Sequence, residues 1–219
     1  MKIAFGFLVL FPFFFHAQIL LNQEGEAFTE TPFFNADVIL SNHIKSIEGN
    51  YSTKKPGEVI RESSDWFRYR FDEKGRLLES LDIRTVNRKK DTTLHQYSYD
   101  ANNLLIEHRK TENGGFTTSK FIYDSLNRIL SESSYREIVS SENHQVLQSN
   151  LVNTEYFQYV VRPNECEQVR YNSYKLPYMD EVSFYNKDGY LVERKTNYRM
   201  SSIEHSTIYS YDEHGLLAS

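Results

Sequence analysis

Cysteine is almost missing from this chain of 219 residues. Its single cysteine, Cys166, leaves no partner for an intramolecular disulfide, so a disulfide framework is excluded. We expect this thiol to be buried and inert, with an intermolecular bond as the alternative. A basic excess is missing as well. The 25 Lys and Arg residues against 30 Asp and Glu residues argue against nucleic acid as a partner, since nucleic-acid binders normally carry a basic surface.

Sequence motifs for catalysis and cofactor binding are also missing. The chain has no nucleophile elbow, phosphate loop or dinucleotide fingerprint. Asn186–Leu191 is similar to the middle of a calcium-binding EF loop, but that loop needs carboxylates where this chain has Phe184 and Lys195. Backbone capping explains the other turn Asp residues without a metal. We therefore expect no enzyme activity, no catalytic residues, no cofactor and no metal site.

The histidines of the chain beyond residue 18 are scattered and show no short-range spacing typical of metal ligands, such as H-x-x-x-H. Their positions alone leave a pairing between neighbouring strands open. They are His43, His95, His108, His144, His205 and His214.

Long hydrophobic runs are limited to one, Ile3–Phe15, which follows Lys2. Its thirteen residues suit the apolar region of a secretory signal peptide and are too few for a membrane-spanning helix. Ala17 and Gln18 mark the expected cleavage zone. We expect residues 1–18 to be a signal-peptide helix, and the exported chain to be periplasmic, at the cell surface or secreted, with no transmembrane segment.

A short motif recurs five times in the remainder of the chain. It consists of an aromatic residue, Asp or Asn, two variable residues, Gly or Asn, one further residue and an aliphatic residue. The copies are Phe71–Leu78, Tyr99–Ile106, Tyr123–Leu130, Tyr185–Val192 and Tyr211–Ala218.

Each copy is typical of a β-hairpin. Aromatic residues precede the turn at period two, as in Phe67, Tyr69 and Phe71, and this spacing places them on one face of a strand. The Asp or Asn side chain accepts hydrogen bonds from backbone N–H groups further round a type I turn. Gly or Asn in the fourth turn position tolerates positive φ. A lone hairpin is marginal in water, so the hairpins are expected to pair edge to edge.

Two degenerate hairpins complete the pattern. The gap between Asp124 and Asn186 is more than twice as long as the other spacings. We expect one worn copy there, with a strand at Tyr156–Val161 and a turn at Pro163–Asn164. Another worn hairpin is expected upstream, around Lys54–Gly57.

At these motifs the chain resembles the YD-repeat, or RHS-repeat, family over roughly residues 40–219. The resemblance implies an all-β fold: an open, twisted antiparallel sheet of consecutive hairpins. In large members that sheet spirals into a shell around a toxin domain. About twelve strands at about 4.8 Å each are too few to close such a shell. We expect a short exported member without a toxin, or a truncated piece of a larger toxin-associated protein.

The expected organisation is a signal peptide at 1–18, an N-terminal arm at 19–40 that caps the first strand, and a repeat domain at 41–219. The basic residues Arg84 and Arg88–Lys90 are expected at a solvated hairpin tip. The unpaired edges of an open sheet make self-association through edge strands possible.

The expected function is surface interaction without catalysis, either protein binding or a structural role in the cell envelope. The alternative is a carbohydrate-binding module that uses exposed aromatics on a cell-surface glycan. Periodic aromatics are more often core residues than a binding face. Contacts with a partner are therefore expected from non-repeating loops around residues 84–94, 109–118 and 136–150.

Overall fold

The computed structural model of the protein describes residues 34–112, 114–140, 145–201, 203–213, 215 and 217. One antiparallel sheet of twelve strands, preceded by a short helix, makes up the fold of these residues. Every strand pairs with its neighbour in the chain, so the sheet is the open meander of hairpins that the repeat predicts. The expected signal-peptide helix and residues 19–33 of the arm lie outside the described residues.

The helix and the strands follow one another without a crossover, and the first and last strands form the two edges of the sheet. Their bounds are α1 (Ala36–Ser41), β1 (Ser46–Thr53), β2 (Arg61–Phe71), β3 (Leu77–Val86), β4 (Lys89–Tyr99), β5 (Leu105–Glu112), β6 (Gly115–Tyr123), β7 (Ile129–Val139), β8 (Val146–Arg162), β9 (Glu165–Tyr171), β10 (Pro177–Tyr185), β11 (Leu191–Tyr198) and β12 (Glu204–Ile208).

The motif turns have the geometry that their residues predict. In the first copy, Asp72 Oδ1 accepts hydrogen bonds from the backbone N–H groups of Lys74 and Arg76, both at 2.9 Å. The Gly75 N–H donates to the Asp72 carbonyl at 3.1 Å, which closes the turn. The expected positive φ is present in all five copies, so that prediction is confirmed. These residues are Gly75 (77°), Asn103 (69°), Asn127 (62°), Gly189 (84°) and Gly215 (75°).

A sixth motif turn, which the sequence pattern did not predict, joins β9 to β10. Asn172 Oδ1 accepts from the N–H groups of Tyr174 and Leu176, at 3.0 and 3.1 Å, and Lys175 adopts the positive φ of 60°. The predicted strand at Tyr156–Val161 and the predicted turn at Pro163–Asn164 are both confirmed, although this turn lacks the Asp or Asn motif. Lysine rarely adopts positive φ, so Lys175 gave no signal; the hydrogen bonds of Asn172 hold the turn instead.

Tyrosine hydroxyls fasten four of the hairpins to the one before. Tyr99 donates to the Leu77 carbonyl at 2.9 Å, and Leu77 is the first aliphatic residue after the preceding motif turn. The same contact recurs along the sheet, which gives each of these half-buried hydroxyls an acceptor. The other pairs are Tyr123 to Leu105 (2.7 Å), Tyr159 to Ile129 (3.0 Å) and Tyr211 to Leu191 (2.7 Å). Phe71, in the first copy, follows no earlier motif turn.

The main core lies where α1 packs on the first strands. Ile39 is buried against Phe71, Leu77 and Tyr97, and the Phe34 ring meets the Phe71 ring edge-on at 5.0 Å. Asn35 caps the N-terminus of the helix: its side chain accepts a hydrogen bond from the Val38 N–H at 3.1 Å. With six residues, α1 is far shorter than a membrane span, and no other helix occurs among the described residues.

Gly75 allows this packing. A Cβ atom at Gly75 would lie 2.5 Å from the Ala36 carbonyl oxygen. Asparagine occupies the equivalent position in two other copies, Asn103 and Asn127. The first copy therefore needs glycine for the close approach of α1 as well as for its positive φ.

Candidate functional site

The segments expected to carry partner contacts are hairpin ends rather than long loops. β3 and β4 continue to a turn of two residues, Asn87 and Arg88, both with positive φ (52° and 62°). The loop prediction is therefore wrong for residues 84–94, and β5 and β6 likewise occupy most of residues 109–118. The strands extend through these charged and polar segments because both faces of the strand ends are exposed to solvent. Arg84 and Arg88–Lys90 are exposed at this tip, as predicted.

All three segments nonetheless contribute to one depression, which we call the β3–β7 groove. It has a volume of about 920 Å³. Strands β3 and β7 supply Leu81 and Val139 at its sides, and β4, β5 and β6 supply most of the remainder. The other residues that line it are Asp91, Thr92, Thr93, Leu94, Gln96, Arg109, Thr111, Glu112, Gly114, Gly115 and Phe116.

The groove opens where β4 and β5 separate. Their pairing runs from Tyr99 to His95 and ends at the His95–Lys110 pair. Beyond it, the Thr111 hydroxyl bridges the two strands: it accepts from the Leu94 N–H at 2.9 Å and donates to the Thr92 carbonyl at 3.3 Å. A side chain therefore replaces the missing ladder bonds and satisfies backbone groups that face the groove.

The charge at the base of the groove is neutralised internally. The Arg109 guanidinium donates to Glu137 Oε2 through Nε and Nη2, at 3.0 and 2.8 Å, and Glu137 is buried. Arg109 also lies over the Phe116 ring, 4.3 Å from its centre, and its Nη1 donates to Gln96 at 3.3 Å. The base thus combines a closed ion pair with apolar surface, and it suits an uncharged segment better than an ionic group.

Gly115 lets β6 and β7 approach each other beside this ion pair. A Cβ atom there would lie 2.2 Å from the Glu137 carbonyl oxygen. Thr118, which pairs with Arg109 across β5 and β6, is fully buried, and its hydroxyl finds no hydrogen-bond partner among the described residues. This orphaned hydroxyl destabilises the fold, because buried polar groups lose their bonds to water.

A histidine pair lies on the opposite face of the sheet. His95 Nδ1 and His108 Nε2 are 2.9 Å apart, and both rings stack with the buried Tyr97. The sequence left such a cross-strand pair open because the strand register was unknown. In the part of the chain that the structure describes, no group of three His, Cys, Asp or Glu side chains is placed to hold a metal ion.

The histidine pair is uncharged near neutral pH. Burial, with the neighbouring His108 and Lys110 charges, lowers the pKa of His95 from 6.5 to about 4. Burial and Lys110 also lower the pKa of His108. Burial raises the pKa of Tyr97 to about 12. One imidazole N–H therefore donates to the unprotonated nitrogen of the other ring, and burial keeps the donating ring neutral as well.

Other residues considered in the sequence analysis serve local structure. Asn186 Oδ1, in the EF-like segment, accepts from the N–H groups of Asp188 and Tyr190, both at 2.9 Å. Cys166 is half-buried on β9, and burial raises the pKa of its thiol, which reduces the reactive thiolate. Arg84 lies over the Tyr51 ring, 3.4 Å from its centre.

Most aromatic side chains are buried or half-buried, including those of the motif. Among the described residues, the exposed aromatics are Tyr174, at 84%, and Tyr198, at 40%. Tyr174 lies in the β9–β10 turn, and Tyr198 ends β11, so both belong to the same end of the sheet.

Comparisons with known proteins add no identification: no protein-family model matches the chain, and neither does any curated protein.

Proposed function

We propose that this protein is a short exported member of the YD-repeat type that acts without catalysis, by binding a protein partner in the β3–β7 groove. The observation that carries the proposal is the groove itself, to which three hairpin ends contribute. The Arg109–Glu137 ion pair neutralises the charge at its base, and Leu81, Leu94 and Phe116 provide apolar surface. Apolar surface with a few placed polar groups is typical of binding sites.

The repeat supports the family part of the proposal. The Asp or Asn turn with positive φ in its fourth position recurs at six turns of the sheet, and the tyrosine contact recurs four times. A repeated scaffold of this kind positions the residues at its hairpin ends. The hydrophobic run at Ile3–Phe15 supports export. N-terminal sequencing of the secreted chain tests this part; a start near Ile19 is expected, and retention of Met1 would contradict it.

A site-specific crosslinking experiment tests the groove. A photoreactive amino acid replaces Asp91, an exposed groove residue, in the tagged protein expressed in its own cells. The same residue replaces Lys187, exposed in the β10–β11 turn, as the control. We expect a discrete, saturable protein adduct from position 91 and none from position 187. Equal adducts from both positions, or none from position 91, would contradict the proposal.

A glycan partner is the second candidate, and the exposed Tyr174 and Tyr198 favour it. Aromatic rings at one end of a sheet are suited to stacking on sugars. A glycan array probed with the wild-type chain and with Tyr174→Ala/Tyr198→Ala separates the candidates. If the double variant loses glycan binding and position 91 in the groove gives no crosslinked adduct, the function lies at this end of the sheet.

A further inference from the structure

One strand in the middle of the sheet extends well beyond its neighbour. β8 pairs with β7 from Val146 to Tyr156, but it pairs with β9 only from Tyr156 onward, where Tyr171 ends β9. Just beyond the end of β9, the Thr154 N–H donates to the hydroxyl of Ser173 in the β9–β10 turn at 3.1 Å. Among the residues that the structure describes, residues 146–152 thus have a paired strand on one side only, and we call them the β8 ledge.

The β8 ledge is exposed, apolar and uncharged. All seven of its residues are exposed, and Leu147, Leu151 and Val152 reach 68, 59 and 68%. No Asp, Glu, Lys or Arg occurs from Val146 to Thr154. Natural sheets protect free edges with charges. The edge strands β1 and β12 carry Glu48 and Glu204, whereas the ledge carries no charge. Its pairing with β7 skips Leu147 and Val152, so the ledge is regular from Gln148 to Leu151 and irregular at both ends.

The sequence of the ledge is nearly the same in both directions around Ser149. It reads Val-Leu-Gln-Ser-Asn-Leu-Val. An antiparallel copy centred on Ser149 would place Val146 opposite Val152, Leu147 opposite Leu151, and Gln148 opposite Asn150. Each pair matches in chemical class: apolar with apolar, amide with amide, and hydroxyl with hydroxyl. Matched cross-strand pairs are the units that stabilise a sheet.

We propose that two copies of this chain pair through their β8 ledges, antiparallel about a two-fold axis at Ser149. A two-fold interface uses the same patch on both copies, so it requires this self-complementarity. The paired ledges would fill the backbone hydrogen bonds left open beside β8 and cover four apolar side chains on each copy. The interface lies on β8, and the inference does not rest on the function proposed for the groove.

Analytical ultracentrifugation of the processed full chain tests the dimer, with paired charges introduced at Leu147 and Leu151. Leu147→Lys/Leu151→Lys places lysine opposite lysine twice. We expect the dissociation constant of the dimer to be at least tenfold higher than that of the wild type. Leu147→Lys/Leu151→Glu places each lysine opposite a glutamate of the other copy, so we expect it to dimerise. The control Ile122→Lys/Leu126→Lys adds the same charge at exposed sites on and after β6 and is expected to dimerise as the wild type does.

Cysteine crosslinking tests the register, in a Cys166→Ser background. Ser149→Cys places two thiols on the axis, within reach of a disulfide. Leu147→Cys, the control, separates them by four residues, about 14 Å along the strands. We expect an interchain disulfide from the first variant only. Circular dichroism verifies that each variant folds.

Three results would overturn the proposal. A wild-type chain that stays monomeric into the high micromolar range would leave the ledge to a strand of another protein. A dimer that survives Leu147→Lys/Leu151→Lys in a folded chain would place the interface elsewhere. Equal crosslinking of the two cysteine variants would contradict the register.

Discussion

The histidine pair predicts that the protein loses stability in a defined range of mildly acidic pH. His95 and His108 share a hydrogen bond at 2.9 Å while both are neutral, and Lys110, a neighbour in the register, opposes a further positive charge. Because the pKa of His95 falls from 6.5 in the unfolded chain to about 4 in the folded one, the unfolded state binds its proton first. The stability that the folded protein gains by keeping His95 neutral is complete above pH 6.5 and is lost as the pH falls from 6.5 to about 4.

The magnitude follows from the shift and the exposure of the ring. One pKa unit corresponds to about 1.4 kcal/mol, so the complete shift would be on the order of 3 kcal/mol. His95 is only half-buried, and solvent screens part of this, so we expect about 1–2 kcal/mol. Urea unfolding at constant ionic strength, between about pH 7 and pH 4.5, measures the free energy of unfolding.

Two variants isolate the cause. His95→Phe removes one titrating ring and keeps an aromatic side chain beside Tyr97, so we expect most of the slope between pH 6.5 and 4.5 to disappear. His205→Phe changes an exposed histidine on β12 and is expected to keep the slope. Asp72 and Asp124 have lowered pKa values, and their contribution is lost only at more acidic pH, below their ordinary 3.8. A wild-type protein with constant stability from pH 7 to 5, or an unchanged slope in His95→Phe, would show that the histidine pair does not cause the pH dependence.

Three further predictions concern stability, each measured by urea unfolding. Tyr123→Phe leaves the Leu105 carbonyl without its donor and should cost about 1 kcal/mol; no loss would mean that the tyrosine contacts do not fasten the hairpins. Gly75→Ala should cost at least about 1 kcal/mol more than Gly189→Ala, since both have positive φ but only the first meets the backbone of α1; equal losses would contradict the packing of α1. Thr118→Val should stabilise the protein by about 1 kcal/mol because it removes the orphaned hydroxyl, and destabilisation would reveal a bond to it.

The hairpins were predictable because their chemistry is local. Asp72 and Gly75 determine a turn within four residues, and the aromatic residues before it alternate at the period of a strand. The sheet of about twelve consecutive antiparallel strands follows from repeating that unit, and it is confirmed. The turn at Asn172 was not predicted because Lys175 stands where the motif has Gly or Asn. The hydrogen bonds that Asn172 accepts hold Lys175 at positive φ.

The candidate site was not predictable in the same way because it depends on register. His95 and His108 meet only when β4 and β5 pair with a particular offset, and no residue pattern fixes that offset. The groove arises from a ladder that ends early, and Gly115 brings β6 and β7 together beside it. Segments 109–118 and 136–150 were predicted to be loops because they lack the motif. They do contribute residues to the groove, but most of their residues lie in strands.

We propose that the protein acts by binding a partner in the β3–β7 groove. The most direct test is quantitative capture of the crosslinked partner by the wild-type chain and by Thr92→Trp, which fills the groove from an exposed position. Thr207→Trp places the same ring on β12, away from the groove, as the matched control. We expect the amount of captured partner to fall at least tenfold with Thr92→Trp and not to change with Thr207→Trp. Full capture by a folded Thr92→Trp chain would contradict it.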